Sequence, residues 1–590
     1  MKARNDNTQS GGIVAKPSNK SEPIVVDDSE TEPDSDSEVL VSKSGNPQTK
    51  GHTAVSAIAT ASASAVSLGK RKEVEPTIPS TTIQNGPLHS LPDRAQMEAE
   101  RLARRKRALQ DDEAAGDSKR QRLSGTTPSS SAKAPIASRI FYDGAFFPTM
   151  TLHANPRADG REAIQLQDIL GPANSDLKLA IVSSFGVDDE WLGQHFSSDV
   201  PVIVVVKDPM TTSEPSMARL FRNANWIQTC PRVGTGGCFH MKYMFLFYKS
   251  GRLRVVISTA NLVSIDWAYL ENTVFIQDVF LRSSAGVLGG TSQSSAGKTE
   301  QSTNMSKPGE GFAMLLETVL KATNVGPALE SVKQKTPTLP LKSISDLSKL
   351  WDWGSVKGRI GTFHCGKTLG LATNKTQDLV VECQGSSIGT YTTQWFNQFY
   401  ISASGHFSAL KAHMDLSESK RKKLEYPRGV KVVFPSSATV KSCSGYRTDR
   451  MQDQSGSGSL FCTRNKWEAK SFPRSAFYDS KSSAGKVLMH TKMIIGSFTQ
   501  KKKADPTPAS TTGWMYIGSH NFTGPAWGNL SGSADAPVLN VNNYELGVVV
   551  PLMTPEDLNM ASAWERPPKK YAASDSPWAC AFQSNFDTNS

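Results

Sequence analysis

The chain has 590 residues, enough for two large domains plus unstructured segments, because a domain typically spans about 100–200 residues. Residues 139–590 hold 47 Lys+Arg against 37 Asp+Glu, so they carry +10 of the net charge of +11 and should attract nucleic acid or an anionic membrane surface. Seven scattered cysteines argue against a disulfide framework and favour a reducing compartment. We expect neither a signal peptide nor a membrane span, because the first ten residues lack an apolar core and no stretch approaches 18 uninterrupted apolar residues.

Residues 1–138 are rich in Ser, Thr, Pro and Ala and poor in aromatic residues, which predicts a disordered tail. In this tail, Ile24-Val25-Val26 precedes a run of acidic residues, the composition of a strand-adding peptide such as a SUMO-interacting motif, although chance explains it more simply. Basic clusters at residues 70–72, 104–107 and 119–122 are typical of nuclear-import signals and also of an arm that contacts DNA. We therefore expect a nuclear protein.

From residue 139, short apolar runs alternate with amphipathic segments, which is typical of α/β domains. Residues 139–350 and 351–590 are predicted to form two such domains. The predicted strands are Leu179–Val182, Val202–Val206, Tyr243–Tyr248, Leu253–Ile257 and Val274–Ile276 in the first, and Leu379–Cys383, Val430–Phe434, Val487–Ile495, Trp514–Ile517 and Tyr544–Pro551 in the second. We predict a helix over Phe312–Thr323 and an inserted surface loop over Ser283–Pro308.

One pattern of residues occurs once in each half. In the first, His240-Met241-Lys242 opens an apolar strand, and the next strand leads into Ser258-Thr259-Ala260-Asn261. In the second, His490-Thr491-Lys492 and Gly518-Ser519-His520-Asn521 occupy the same places. A Trp lies six residues after each Asn, at Trp267 and Trp527. A single H-x-K carries little information, but two copies in the same context indicate an internal repeat.

The repeat supplies groups suited to bind phosphate beside a nucleophile. In a strand, residues i and i+2 face the same side, so the His and Lys of each H-x-K project together, and the nearby Asn can join them. If the two halves meet, two lysines would neutralise phosphoryl oxygens and two carboxamides would donate to charge developing in the transition state. One His would attack phosphorus, while the other would protonate the leaving oxygen and then deprotonate the attacking water.

Other interpretations of these residues are weaker. A metal site built from His240, His490 and His520 lacks the spacing of a zinc site, so we expect no metal. Trp267 and Trp527 fit core packing better than substrate contact. We interpret His520 as structural, since it points to the opposite strand face from its neighbour.

The duplicated pattern resembles the phospholipase D superfamily and, in its details, the tyrosyl-DNA phosphodiesterase branch. The superfamily's usual Asp, five residues after the Lys, is replaced by Phe247 and Ser497, and its absence in both halves is a feature of that branch. The remaining matches are short motifs over about residues 139–590: Asn261-Leu262, Asp266-Trp267, Gln384–Gly389, Gly458-Ser459-Leu460, Ala526-Trp527-Gly528, Tyr544–Gly547 and Pro577-Trp578. The resemblance implies two similar phospholipase D-like α-β-α sandwich domains with mixed sheets and the active site at their interface.

The resemblance also implies roles for individual residues. The nucleophile would be His240, the general acid and base His490, and the phosphate ligands Lys242, Lys492, Asn261 and Asn521. Asn272 and Glu545 occupy the positions that orient the two histidines, and Asn272 is one methylene shorter than the Gln of the family. The residues matching DNA contacts are Ser386, Ser387, Ser459 and Trp578. Gly236 stands where family members can offer a base-stacking aromatic, and Phe239 is the nearest aromatic.

The function implied is that of a DNA-repair phosphodiesterase. It would hydrolyse the bond between a DNA 3′ phosphate and the tyrosine of stalled topoisomerase I, and other 3′ adducts, through a covalent phosphohistidine. We expect a monomer without cofactor that acts on single-stranded or duplex DNA and releases a topoisomerase-derived peptide, with no membrane partner. The alternatives are another phospholipase D superfamily nuclease or phospholipase, and a DNA-binding scaffold whose site is inactive.

Overall fold

The computed structural model describes most of the chain from residue 136 onward. The described ranges are 136–171, 176–207, 215–219, 223, 225–234, 237–282, 308–353, 356, 359–360, 371–374, 377–446, 459–460, 462, 464–501 and 511–579. The acidic-tailed triplet, the basic clusters, Gly236 and all but the last residue of the predicted loop Ser283–Pro308 lie outside them. Within these ranges, no helix combines the length and apolar character needed to cross a membrane.

Nineteen strands occur in the described residues. They are β1 Ala145–Pro148, β2 Leu177–Ser183, β3 Val202–Val205, β4 Ser216–Arg219, β5 Trp226–Cys230, β6 Tyr243–Tyr248, β7 Arg252–Ser258, β8 Leu270–Glu271, β9 Thr273–Phe280, β10 Arg359–Ile360, β11 Gln377–Gln384, β12 Val430–Phe434, β13 Phe477–Asp479, β14 Leu488–Met489, β15 Met493–Gln500, β16 Gly513–Gly518, β17 Asn529–Gly532, β18 Pro537–Asn540 and β19 Gly547–Leu552.

The same part of the chain contains thirteen α-helices. They are α1 Leu166–Leu170, α2 Asp189–Gly193, α3 Ser264–Ala268, α4 Pro308–Ala322, α5 Val325–Lys335, α6 Asp346–Leu350, α7 Thr393–Ala403, α8 Phe407–Met414, α9 Glu418–Lys422, α10 Ser437–Ser442, α11 Arg464–Glu468, α12 Gly524–Trp527 and α13 Pro555–Ala561. Short 3-10 turns lie at Ile136–Ser138 and Arg474–Ala476.

Two mixed sheets repeat one topology. The first has the order β1-β9-β7-β6-β2-β3-β5-β4, and the second has the order β10-β19-β16-β15-β11-β12-β13. The run β9-β7-β6-β2-β3-β5 therefore corresponds to β19-β16-β15-β11-β12-β13. In each run the last three strands are parallel and the others antiparallel. This correspondence confirms the predicted α/β fold with two similar halves.

The two sheets share one hydrophobic core. Alternate residues along β6, including Phe245, and along β15, including Ile495, point into it, and α4 contributes Phe312. The opposite face of the first sheet packs against α1 and α2, and that of the second against α7. The side chain of Phe245 is fully buried, so truncating it to Ala should cost about 3–5 kcal/mol. Shared burial of this kind holds the halves together as one folded unit.

Three sequence predictions need correction at their boundaries. The strand predicted over Val487–Ile495 is two strands, because the H-x-K segment between β14 and β15 leaves the sheet, and β14 pairs with β8 of the first half. The strand predicted over Tyr544–Pro551 begins at Gly547, because Tyr544 bridges to Phe239 instead. The folded part also begins earlier than residue 139, since Ile136 is buried in the core beside α1.

Candidate active site

The two H-x-K segments lie immediately before β6 and β15 rather than within these strands. The Nζ atom of Lys242 donates to the carbonyl of His240 at 2.9 Å, and that of Lys492 donates to the carbonyl of His490 at 2.7 Å. Both lysines are buried. Each Lys is therefore held against its own His by the two-residue spacing.

The main chain of each catalytic segment is bound by the other half. The His240 amide donates to the carbonyl of Tyr544 at 2.9 Å, and the Tyr544 amide donates to Cys238 at 2.8 Å. A Cβ at Gly237 would lie 2.5 Å from the carbonyl oxygen of Asn542, so this close approach requires glycine. The second segment mirrors the first, because His490 donates its amide to Glu271 at 2.9 Å.

His240 is oriented by a carboxylate of the second half. Its Nδ1 lies 2.9 Å from Oε2 of Glu545, with the two side chains 12% and 2% exposed. Burial, reinforced by the charge of Lys242, lowers the pKa of His240 to about 4. Although burial opposes its ionisation, the pKa of Glu545 is lowered to about 2, mainly by His240. A neutral His240 that donates Nδ1–H to Glu545 has its lone pair on Nε2, the state needed in a nucleophile.

His490 faces a carboxylate of the first half. Its Nδ1 lies 3.1 Å from Oδ2 of Asp266, within ion-pair distance. Lys492 contacts Nε2 of His490 at 2.8 Å. Burial lowers the pKa of His490 to about 4, and the nearby His490 and Lys492 keep the pKa of Asp266 below its usual value despite burial. Each half therefore supplies the carboxylate that orients the histidine of the other half.

The prediction that Asn272 orients a histidine is wrong. Asn272 does hold the position equivalent to Glu545, since each directly follows the residue whose carbonyl accepts the amide of the opposite His. Its carboxamide is already engaged: Oδ1 accepts from Thr259 at 2.8 Å, and Nδ2 donates to the carbonyl of Asp266 at 2.9 Å. Its side chain turns inward, and the carboxylate of Asp266 faces His490 instead.

The two asparagines are also held by neighbouring groups. Oδ1 of Asn521 accepts from the amides of Ser386 and Ser387 at 3.0 and 3.2 Å, and from the hydroxyl of Ser386 at 3.3 Å. This contact directs the Nδ2 donors of Asn521 the other way. Ser386 is buried and positions Asn521, Ser387 is half-buried, and the DNA contacts of both stay predictions. The backbone amide of Asn261 donates to the carboxylate of Asp266 at 2.6 Å.

The lysine charges depend strongly on their surroundings. Burial lowers the pKa of Lys242 to about 8, partly offset by Glu545 and Asp266. Burial and the charge of Lys242 lower the pKa of Lys492 well below its ordinary value. Two buried lysines in one site favour an anionic ligand, since a phosphoryl group would stabilise the protonated form of both.

The remaining predicted residues lie farther from this chemistry. Ser459 is half-buried, and Trp578 packs edge-on against Tyr446 with ring centroids 5.7 Å apart, so their DNA contacts stay predictions. Trp267 is buried in the core between the first sheet and helices α1 and α2. Trp527 packs against the core between the second sheet and α7. Core packing is therefore confirmed for both. His520 contacts the Tyr516 hydroxyl and the ring of Trp527, in agreement with its structural interpretation.

Sequence reasoning missed two residues of the site. Asp266 was recognised only as part of a motif, although an acidic residue shortly after Asn261 was a usable signal. Phe185 follows the end of β2; its side chain is 51% exposed, and its ring centroid lies 5.4 Å from that of His240. Lys242 Nζ lies 6.0 Å from the same ring. An accessible aromatic ring thus lies beside His240. It comes from the segment after β2 and not from the segment just before His240, where the resemblance placed it.

Among the described residues, no group of three or more His, Cys, Asp or Glu side chains is arranged to hold a metal ion. Two α/β halves that each contribute His, Lys and Asn to a shared site define the phospholipase D-like class of proteins. A family model described as tyrosyl-DNA phosphodiesterase matches residues 147–587. The chain therefore belongs to the tyrosyl-DNA phosphodiesterase family.

Individual relatives are distant. Over 135 residues the chain is 29% identical to tyrosyl-DNA phosphodiesterase 1 of Arabidopsis thaliana, covering 22% of each protein. Over 420 residues it is 23% identical to tyrosyl-DNA phosphodiesterase 1 of Drosophila melanogaster, covering 68% of this chain and 65% of the relative. It thus spans less than two thirds of either curated relative. A crystal structure of the yeast tyrosyl-DNA phosphodiesterase aligns with 74% of this chain and 100% of its own, at 16% identity and a TM-score of 0.47.

Proposed function

We propose that the chain is a DNA-repair phosphodiesterase that hydrolyses the bond between a DNA 3′ phosphate and a tyrosine. The observation that carries the proposal is the pair of histidines, each facing a carboxylate of the opposite half, with buried Lys242 and Lys492 beside them. Membership of the tyrosyl-DNA phosphodiesterase family supports a tyrosyl-DNA bond as the substrate class, and we propose that the tyrosine is attached at the DNA 3′ end. Stalled topoisomerase I is the source of such ends that we propose, and other 3′ adducts would be trimmed by the same chemistry.

In the first step, Nε2 of His240 attacks phosphorus and the P–O bond to the tyrosyl oxygen breaks. Glu545 accepts Nδ1–H and stabilises the positive charge that develops on the imidazole. The leaving phenolate takes a proton from His490. In the free site the pKa of His490 is lowered to about 4, but the negative charges of the phosphodiester and of Asp266 favour its protonated form in the complex, against the adjoining Lys492.

In the second step, water attacks the phosphohistidine. Nε2 of His490 removes a proton from this water, the P–N bond breaks, and a DNA 3′-phosphate end is released with His240 restored. The charge on the phosphoryl oxygens is neutralised by Lys242 and Lys492, and Asn521 offers oriented Nδ2 donors. Because two ammonium groups supply the charge that a divalent ion supplies elsewhere, we propose a metal-independent reaction.

The basic folded part and the aromatic face of Phe185 support DNA as the ligand. A +10 charge over residues 139–590 attracts the phosphate backbone, and an aromatic ring beside His240 can stack on a base or on the tyrosyl ring. We further propose a monomer that acts in the nucleus, directed there by the basic clusters of residues 70–122. A SUMO contact through Ile24-Val25-Val26 is part of the same proposal.

The test compares two substrates. Purified protein is incubated with an oligonucleotide bearing a 3′-phosphotyrosyl group and, separately, with phosphatidylcholine vesicles. Release of tyrosine and a 3′-phosphate end from the first substrate only supports the proposal, with His240→Ala as the inactive control. Hydrolysis of the lipid would indicate a phospholipase. Binding of the oligonucleotide with no turnover would indicate an inactive scaffold.

A further inference from the structure

A buried carboxylate next to the site takes no part in the chemistry described above. The side chain of Glu271 is fully buried, and its Oε1 accepts from Arg157 at 2.9 Å. Its Oε2 accepts from the hydroxyl of Ser482, a residue of the second half. Arg161 approaches Oε1 at 4.0 Å and donates to the carbonyl of Met560 at 2.7 Å. An ionised carboxylate buried in this way needs such partners, and here they come from both halves.

The main chain of Glu271 is bound directly to the second catalytic segment. Its carbonyl accepts the amide of His490 at 2.9 Å and the hydroxyl of Thr491 at 3.1 Å. In the parallel pairing of β8 with β14, Glu271 stands opposite Met489, the residue before His490. The position of the His490 backbone is therefore fixed by a residue whose side chain is locked by charge.

The equivalent position in the other half has no such charge. Tyr544 accepts the amide of His240 through its carbonyl, and its ring packs against Phe239 with centroids 6.1 Å apart. The two histidines are thus held by similar backbone hydrogen bonds, but the residues that accept these bonds have different side-chain contacts. The residue bound to His490 is held by a charged network, whereas the residue bound to His240 is held by an aromatic contact.

We propose that Glu271 is a positioning residue for His490, and that its buried network keeps His490 at the distance required in the second step. The inference rests on the proposed function, in which His490 activates the water that resolves the phosphohistidine. Loss of the network should misplace His490 while leaving His240 and Glu545 in contact. The second step should slow by about 10- to 100-fold, the effect of losing a supporting group or of a displacement near 1 Å.

Glu271→Gln is the variant of choice. It keeps the shape and the backbone bonds and removes the charge. Arg157 retains an ionic partner, because Asp159 contacts it at 2.7 and 2.9 Å. Ser482→Ala is the second variant, and it removes the contact from the opposite half together with the hydrogen bond that the Ala484 amide donates to the same hydroxyl at 3.0 Å.

The chain offers a matched control in Glu382. This carboxylate is equally buried and arginine-paired: it lies 3.0 Å from Arg566, 3.2 Å from Lys431 and 3.0 Å from the indole nitrogen of Trp564. Its backbone neighbours are Lys431 and Ile495, which lie outside both catalytic segments. Glu382→Gln should therefore lower stability to a similar degree without affecting His490.

The experiment is a single-turnover time course on a 3′-phosphotyrosyl oligonucleotide, quenched and run on a denaturing gel that separates free DNA from DNA bound to protein. Full-length wild type, Glu271→Gln, Ser482→Ala, Glu382→Gln and His490→Ala are compared, with the melting temperature of each. We expect covalent adduct to persist in Glu271→Gln and, less strongly, in Ser482→Ala, with its formation within threefold of wild type, and no persistence in Glu382→Gln.

Adduct that persists equally in Glu271→Gln and Glu382→Gln, or slower formation with normal decay in Glu271→Gln, would overturn the proposal. If Glu271→Gln does not fold, Ser482→Ala decides by the same criteria. Failure of the proposed function is a separate result, because wild type would then release no tyrosine and His490→Ala would hold no adduct.

Discussion

Replacing the two orienting carboxylates one at a time should slow different steps of the reaction. Glu545→Gln removes the charge that stabilises the imidazolium of His240 as it attacks phosphorus. The Nδ1–Oε2 distance is 2.9 Å and both side chains are largely buried, so the bond is only weakly screened by solvent. A hydrogen bond to a charged group contributes about 1.5–3 kcal/mol, and each 1.36 kcal/mol is a factor of ten in rate. Adduct formation should slow by about 10- to 150-fold.

Asp266→Asn perturbs the other histidine. Asn retains an acceptor for the Asn261 amide, which Asp266 binds at 2.6 Å, but lacks the charge that faces His490. Adduct should therefore form at nearly the wild-type rate and decay slowly. Rapid-quench time courses with a 3′-phosphotyrosyl oligonucleotide measure both rates in one experiment. Accumulation of adduct in Glu545→Gln, or equal slowing of both steps in both variants, would refute the claim that Glu545 orients His240 and Asp266 orients His490.

Five further outcomes are expected. Because the pKa of His240 is lowered to about 4, protonation of His240 should reduce kcat/KM only as the pH approaches 4; an acid limb near 6.5 would show an unperturbed His240. On the alkaline side, kcat/KM should fall near pH 8 as Lys242 loses its proton. Phe185→Ala should raise KM for the oligonucleotide about tenfold or more with a smaller change in kcat, the loss expected for one stacking contact. Excess EDTA and deletion of residues 1–135 should each leave kcat on short oligonucleotides unchanged, and a loss restored by added metal would contradict the role given to the lysines.

The parts of the site that depend on local spacing could be predicted from the sequence. Lys242 follows His240 by two residues in an extended segment, so their proximity follows from backbone geometry alone. The same holds for Lys492 and His490. The short apolar runs of the sequence likewise predicted most of the central strands, because a strand that is buried on both faces requires a nearly continuous run of β-branched and aromatic residues.

The parts that depend on how the halves dock could not be predicted in this way. Asp266 and His490 come from different halves, and their contact depends on the pairing of β8 with β14. Asn272 was assigned an orienting role because of its position, but the direction of its side chain is decided by Thr259, a local partner that the sequence pattern does not reveal. The break in the strand predicted over Val487–Ile495 has the same origin, since its first residues pair with the opposite half.

The identity of the residue that becomes covalently attached to DNA tests the central claim most directly. A His490→Ala variant should accumulate DNA linked through His240, because the phenol of tyrosine, with an ordinary pKa of about 10, can leave unassisted while water attack on the phosphohistidine lacks its base. Peptide mapping of the shifted gel band should locate the phosphoryl group on His240, and His240→Ala should give no band. Attachment at His490 in the His240 variant, with no adduct in the His490 variant, would contradict the account.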